Sequence, residues 1–186
     1  MSEKTPKHFP LAGTVGESFF TFQRDDYSCG PASMTTVCNL LGVDVDYDTV
    51  RGILAPDPVV GTAPDKMTGL AGRILPLGPA GDLTYEGGVA IANIVLEGEG
   101  HYVVFLAKEQ DDVLFYEPFY HELVLQDINT IEWSKGEDGE APRNEWSASF
   151  TAEERSISDW LKLAEPKDPA AKTQPKHKPP PKTPAP

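Results

Sequence analysis

The sequence predicts an α+β domain: N-terminal helices packed on an antiparallel β-sheet, then a C-terminal helix and a disordered tail. Three observations carry this. Apolar residues recur at helical spacing between residues 34 and 74, and short β-branched or aromatic runs separated by polar turns fill residues 89–125. Composition then changes abruptly at Glu165. Helices first and strands after them is the α+β order.

The first helix shows in Met34, Val37, Cys38 and Leu41, which fall on one helical face and stop at Gly42. Asp46 suits the cap of a second, short helix through Leu54, before Pro56. Thr62 with Asp65 resembles a capping box, and Met67, Leu70, Ala71 and Ile74 repeat the helical spacing. From Gly88 the pattern becomes strand-like, with runs at 89–96, 102–107, 113–116 and 122–125 separated by polar turns at 97–100, 109–112 and 118–121. This reads as an antiparallel meander. The run YVVFLA at 102–107 is apolar on both faces, which predicts a central strand. Thr151 with Glu154 marks the start of a last helix over 152–164, with Ile157, Trp160, Leu161 and Ala164 as its buried stripe.

The chain has 186 residues, 16 Lys or Arg against 29 Asp or Glu, and a formal charge of −13. That length suits one domain with a sizeable core. The acidity excludes non-specific nucleic-acid binding and anionic membrane surfaces, both of which need clustered positive charge. No apolar run of about 18 residues is present to span a membrane. Met1–Pro10 lacks the apolar stretch of a secretory signal, so the expected address is the cytoplasm, or export by a system that needs no signal peptide. Cys29 and Cys38 make no disulfide framework, and with four scattered histidines they give no zinc spacing. Residues 165–186 hold eight of the 18 prolines and five lysines, with no aromatic or branched aliphatic residue. Such a stretch buries too little apolar area to offset ordering, so it reads as a disordered, partly polyproline II tail. Its five lysines against Glu165 and Asp168 leave it at +3, and the rest of the chain at −16. A solubilising tail is the simpler reading, a tether to a protein partner the sharper one. The expected organisation is an N-terminal segment 1–18, a domain 19–164 and the tail 165–186.

The stretch QRDDYSCGPAS, Gln23 to Ser33, carries the most chemistry. Cys29 stands just before the first predicted helix, and Pro31 suits its first turn. The positive end of the helix dipole and its unpaired N–H groups stabilise a thiolate there, and the thiolate is the nucleophile. The amide of Gln23 is suited to join the Cys29 backbone N–H in an oxyanion hole. His101 opens the central strand, and Glu117 ends the next one. If the intervening turn closes a hairpin, Glu117 lies beside His101, where a carboxylate orients the imidazole and stabilises its cation. Asp111 and Asp112 are weaker candidates for that role because they sit in the turn. A lone cysteine at a helix start is more often a small buried residue, as expected for Cys38; its combination with Gln23, His101 and Glu117 favours a catalytic Cys29. Asp25 and Asp26 read as solvated loop, or as the rim of a cleft favouring basic or polar peptide. Gly87-Gly88 reads as a turn, and His121 as a strand-edge residue.

These residues resemble the papain-like cysteine peptidases, and among them the bacteriocin-processing (double-glycine leader) peptidases, family 39 of the cysteine class. The matching pieces are Gln23 six residues before Cys29, CGPAS leading into a helix that ends at Leu-Gly, Gly-His-Tyr-Val-Val at 100–104, and an acid-Pro pair at Glu117-Pro118. The resemblance spans about residues 19–130. It implies a papain-like fold, catalytic Cys29, His101, Glu117 and Gln23, and cleavage of a peptide or protein substrate after a small-residue pair such as Gly-Gly. It implies no metal and no organic cofactor. The family usually has Asp where this chain has Glu117, and its domain is often joined to an ABC transporter. Two other readings stand beside it: a peptidase-like module that binds a peptide or partner without cutting it, and a secreted amidase toxin.

Overall fold

The computed structural model describes residues 5–11, 19–74, 85, 87–134, 147–150 and 154–164. In chain order these form β1 (Lys7–Pro10), α1 (Cys29–Leu40), α2 (Tyr47–Leu54), α3 (Pro64–Ile74), β2 (Val89–Leu96), β3 (Glu99–Glu109), β4 (Asp112–Glu117), β5 (Glu122–Asp127), β6 (Ser147–Phe150) and α4 (Ile157–Ala164). The fold is α+β. The strands make one antiparallel sheet in the order β1-β5-β4-β3-β2-β6. The expected meander is β2 to β5, with the YVVFLA strand near its middle. β1 and β6 pair along the outer sides of β5 and β2 and lie outside the runs expected as strands.

The two faces of the sheet are covered differently. Met34, Val37 and Cys38 of α1, Val50 and Leu54 of α2, Met67 and Leu70 of α3 and Trp160 of α4 join one core with Ile91, Val104, Leu106 and Tyr116 of the sheet. The other face, with Ala92, Val103, Phe105 and Phe115, is closed by Tyr85, Ile131 and Trp133 from irregular segments. Alternation of side chains along each strand feeds both cores, which is why the central strand is apolar throughout.

Helix ends follow local chemistry, with two departures from expectation. The Asp46 carboxylate caps α2 by accepting from the Thr49 amide at 2.9 Å, and Gly42 past α1 takes φ +71°. Thr62 does not cap α3: the helix begins at Pro64, and the Thr62 hydroxyl is buried without a hydrogen-bond partner. Its side chain packs instead on Gly30, where a Cβ would come within 2.6 Å of Thr62 Oγ1. The last helix starts at Ile157, later than expected, because the Ser156 hydroxyl accepts from the Asp159 amide at 3.1 Å and caps it there. Thr151 and the tail 165–186 lie outside the described residues. Among the described residues, no helix is long and apolar enough to cross a membrane.

One irregularity sets the geometry of the site. Glu109 opposes Asp112 across a two-residue turn, and the register runs to Ala107 opposite Leu114. It then slips, so that Phe105 opposes Phe115 and Val104 opposes Tyr116. Leu106 and Ala107, though adjacent, both face the helix-side core, as a β-bulge requires. Continuing the slipped register by one residue sets Glu117 beside Val103. Val103 and His101 are two apart and share a side of the sheet. Without the bulge, Glu117 would stand beside Val104 and point to the other side.

Candidate active site

Cys29 is the first residue of α1. Ser28 occupies the cap position without bonding the helix amides; its hydroxyl donates to the Asp25 carboxylate instead. The helix N-terminus therefore keeps its N–H groups for other acceptors. Gly30, having no side chain, admits Thr62 against the first turn. The Ser33 hydroxyl donates to the Tyr102 carbonyl at 3.0 Å, which pins the start of α1 to β3 one residue past His101.

His101 stands in β3 opposite Ile94. Its Nε2 lies 2.5 Å from Glu117 Oε1, which leaves Nδ1 as the ring nitrogen open to Cys29, the group that couples most strongly to it. Glu117 is 2% exposed, and a carboxylate so buried needs donors. It has three: the His101 ring, the Phe119 amide at 2.8 Å and the Tyr120 amide at 2.5 Å. The glutamate is long enough to reach diagonally across the strands to His101 while holding both amides of the following turn.

The electrostatics follow from this geometry. Burial alone would push the Cys29 thiol up, but the charge of His101, a hydrogen bond with it and the backbone amides of Tyr102 and Gly30 bring it below an ordinary thiol. Burial likewise disfavours a charged His101. The charge and hydrogen bond of Cys29, followed by those of Glu117, outweigh that and raise the imidazole. The opposite shifts of these two groups favour charge separation between thiol and imidazole, with the Glu117 carboxylate behind the ring. Cys38 has no such partner, and burial pushes it up to about 11.

Gln23 is buried, with its backbone N–H on the Pro118 carbonyl at 3.0 Å. Its side-chain Nε2 donates to the Asp25 carbonyl at 2.5 Å, which leaves that nitrogen one further N–H, and its Oε1 is buried without a partner. The structure thus brings Cys29, His101 and Glu117 together, with Glu117 hydrogen-bonded to the imidazole and the imidazole electrostatically coupled to the thiol. Gln23 is anchored to the residue after Glu117, and its side-chain bond goes to Asp25 rather than to the sulfur. Asp111 and Asp112 lie at the far end of the hairpin from His101. Gly87 and Gly88 take φ +133° and +79° in the turn entering β2.

Two expectations change here. Asp25 is not a solvated rim residue: it accepts from Arg51 Nη2 at 3.0 Å, from the Tyr27 amide at 3.2 Å and from Ser28. Its charge is matched within the protein, while Asp26 remains exposed. His121 is not a strand-edge residue; it lies in the turn after Glu117 at φ +53°, with its ring nitrogen on the Tyr116 hydroxyl. Among the described residues, no group of three His, Cys, Asp or Glu is placed to hold a metal ion.

No known protein family matches the sequence, and no curated protein does. Among solved structures the chain is similar to the peptidase domain of Streptococcus ComA, a bifunctional ABC transporter of a quorum-sensing pathway. The identity is 18% and the TM-score 0.47, over 73% of this chain and 98% of that one.

Proposed function

We propose that the chain is a papain-like cysteine peptidase. The observation that carries this is the line from Cys29 through His101 to Glu117, with the thiol lowered and the imidazole raised. A buried cysteine kept only for packing behaves as Cys38 does, raised by burial.

In this reading the Cys29 thiolate adds to an amide carbonyl carbon, and the carbonyl electrons move onto oxygen. The Cys29 backbone N–H and the remaining Nε2–H of Gln23 stabilise that oxyanion. The C–N bond breaks as the His101 imidazolium gives its proton to the leaving amine, and an acyl-thioester remains. Neutral His101 then takes a proton from water, whose oxygen displaces the sulfur. Glu117 holds the ring throughout and stabilises its charged form. By its resemblance to the double-glycine leader peptidases, the substrate is a peptide cut after a small-residue pair.

The test is a peptide-library cleavage profile of the wild type beside Cys29→Ala. Cleavage by the wild type alone, at a consistent site, supports the reading. If neither protein cuts, and a thiol-directed peptide electrophile leaves Cys29 unlabelled, the chain is a binding module instead.

A further inference from the structure

Gln23 stands in a segment without regular secondary structure, yet an oxyanion donor must be fixed within a fraction of an ångström. Something outside the segment has to fix it. On one side the staples come from α1. The Thr21 amide donates to Thr36 Oγ1 at 2.9 Å, and Asn39 Nδ2 reaches the Phe19 carbonyl at 3.3 Å. On the other side they come from the residues flanking Glu117. The Tyr116 hydroxyl donates to the Thr21 carbonyl at 2.9 Å, and the Gln23 amide donates to the Pro118 carbonyl at 3.0 Å.

The Tyr116 hydroxyl is itself held from behind. His121 Nδ1 lies 2.8 Å from it. A phenol has one proton, and the Thr21 carbonyl can only accept, so His121 Nδ1–H is the donor in this second bond. The His121 ring also packs edge-on against Tyr116 and Phe22, with centroids 5.7 and 5.9 Å apart. To put its ring there His121 adopts φ +53°, a conformation that costs a non-glycine residue free energy and persists only where the surroundings enforce it. The Leu11 amide on the His121 carbonyl, at 3.1 Å, is part of that enforcement. Burial and the nearby Glu117 charge raise the Tyr116 phenol well above its ordinary range, so it stays a neutral donor.

We infer that Tyr116, backed by His121, is a positioning residue that fixes Gln23 relative to Cys29, so that the orienting acid and the oxyanion donor form one rigid unit. This rests on the peptidase reading, and its test separates the two. Two probes of Cys29 differ in one respect. Iodoacetamide alkylates the sulfur by displacing iodide and develops no oxyanion. Acetyl-glycyl-glycinal is attacked at its aldehyde carbon, giving a hemithioacetal whose oxygen needs the oxyanion donors.

Tyr116→Phe is expected to weaken aldehyde binding about tenfold while leaving the alkylation rate within about twofold. In a Gln23→Ala background it is expected to cost nothing more, because the two residues act through one donor. An unchanged aldehyde affinity in Tyr116→Phe overturns the inference, and so do losses that simply add in the double variant. If the wild type neither binds the aldehyde nor alkylates selectively at Cys29, the peptidase reading falls and takes this inference with it. If Tyr116→Phe does not fold, His121→Phe keeps the ring packing and removes the Nδ1 donor. It should lower aldehyde affinity in the same direction, and no loss there refutes the inference.

Discussion

Replacing Glu117 by glutamine keeps the shape of the side chain and removes its charge. Three donors converge on the carboxylate: the His101 ring and the Phe119 amide on Oε1, and the Tyr120 amide on Oε2. A glutamine has one acceptor oxygen. Its best orientation keeps that oxygen on His101 and Phe119 and turns its NH₂ toward the Tyr120 N–H, donor against donor. An unpaired, partly buried N–H costs about 1 kcal/mol or somewhat more. In a chain of this size that lowers Tm by roughly 2–4 °C per kcal/mol. The larger effect is on the ring. A charge-assisted hydrogen bond exceeds a neutral one by about 1–1.5 kcal/mol, or roughly one pKa unit. Without that stabilisation the His101 pKa falls, and the Cys29 pKa rises in response. At a pH below the midpoint of the wild-type labelling profile, the thiolate fraction and the alkylation rate then drop by up to about tenfold, and that midpoint moves up by roughly one unit. The assay is the second-order rate of iodoacetamide labelling at Cys29, mapped by mass spectrometry, beside a thermal melt. Glu117→Asp keeps the charge but is one methylene short of spanning all three donors, so an intermediate rate is expected. If Glu117→Gln folds and labels at the wild-type rate, the carboxylate is structural and its charge does not sustain the imidazolium.

Other outcomes follow from the same geometry. In the wild type, iodoacetamide should modify Cys29 and spare the buried, raised Cys38. The Cys29 rate should hold as pH falls below an ordinary thiol's range and fail only when His101-stabilised thiolate is protonated; a rate falling tenfold per unit from about pH 8.5 would contradict the lowered thiol. Gly30→Ala would bring a Cβ within 2.6 Å of Thr62 Oγ1 and 2.7 Å of Thr62 Cβ. Such overpacking costs about 1–3 kcal/mol against about 1 kcal/mol gained in helix propensity, so the melting temperature should not rise, and Thr62→Gly should restore what is lost. Truncation after Ala164 should leave the melting temperature within about a degree, since residues 165–186 bring no branched aliphatic or aromatic side chain to a core; a drop of several degrees would mean that they pack.

Where sequence and fold agree, the signal was local. The stripe of Met34, Val37 and Cys38 gave α1, and β-branched runs between polar turns gave the four central strands within a few residues. Cys29 at the head of a helix and His101 at the start of a strand were legible for the same reason. Other features depended on long-range partners. Lys7–Pro10 has no strand-like composition and is a strand because β5 offers it an unpaired edge. Thr62 fits a capping pattern, but the bare Cα of Gly30 takes its side chain away from the helix. Asp25 looked solvated because nothing nearby in sequence announces Arg51. The bulge was hidden for a different reason. A change of phase shows only where one face is polar, and YVVFLA is apolar on both.

That bulge gives the hairpin a spare residue. Across a two-residue turn, residues that share a side of a bulge-free hairpin are separated by an odd number of positions. His101 and Glu117 are separated by sixteen, an even number, and the doubled placement of Leu106 and Ala107 makes up the difference. Gain and loss of length are therefore unequal. Deleting Lys108 would let the ladder straighten: Leu106 would take the place of Ala107 opposite Leu114 on the helix side, Ala107 would take the place of Lys108, and the imidazole would still meet its carboxylate. Inserting a residue in the same stretch offers no such relaxation and would need a second bulge. Length drift in this hairpin should run toward the shorter form, with the pairing of His101 and Glu117 as the quantity held constant.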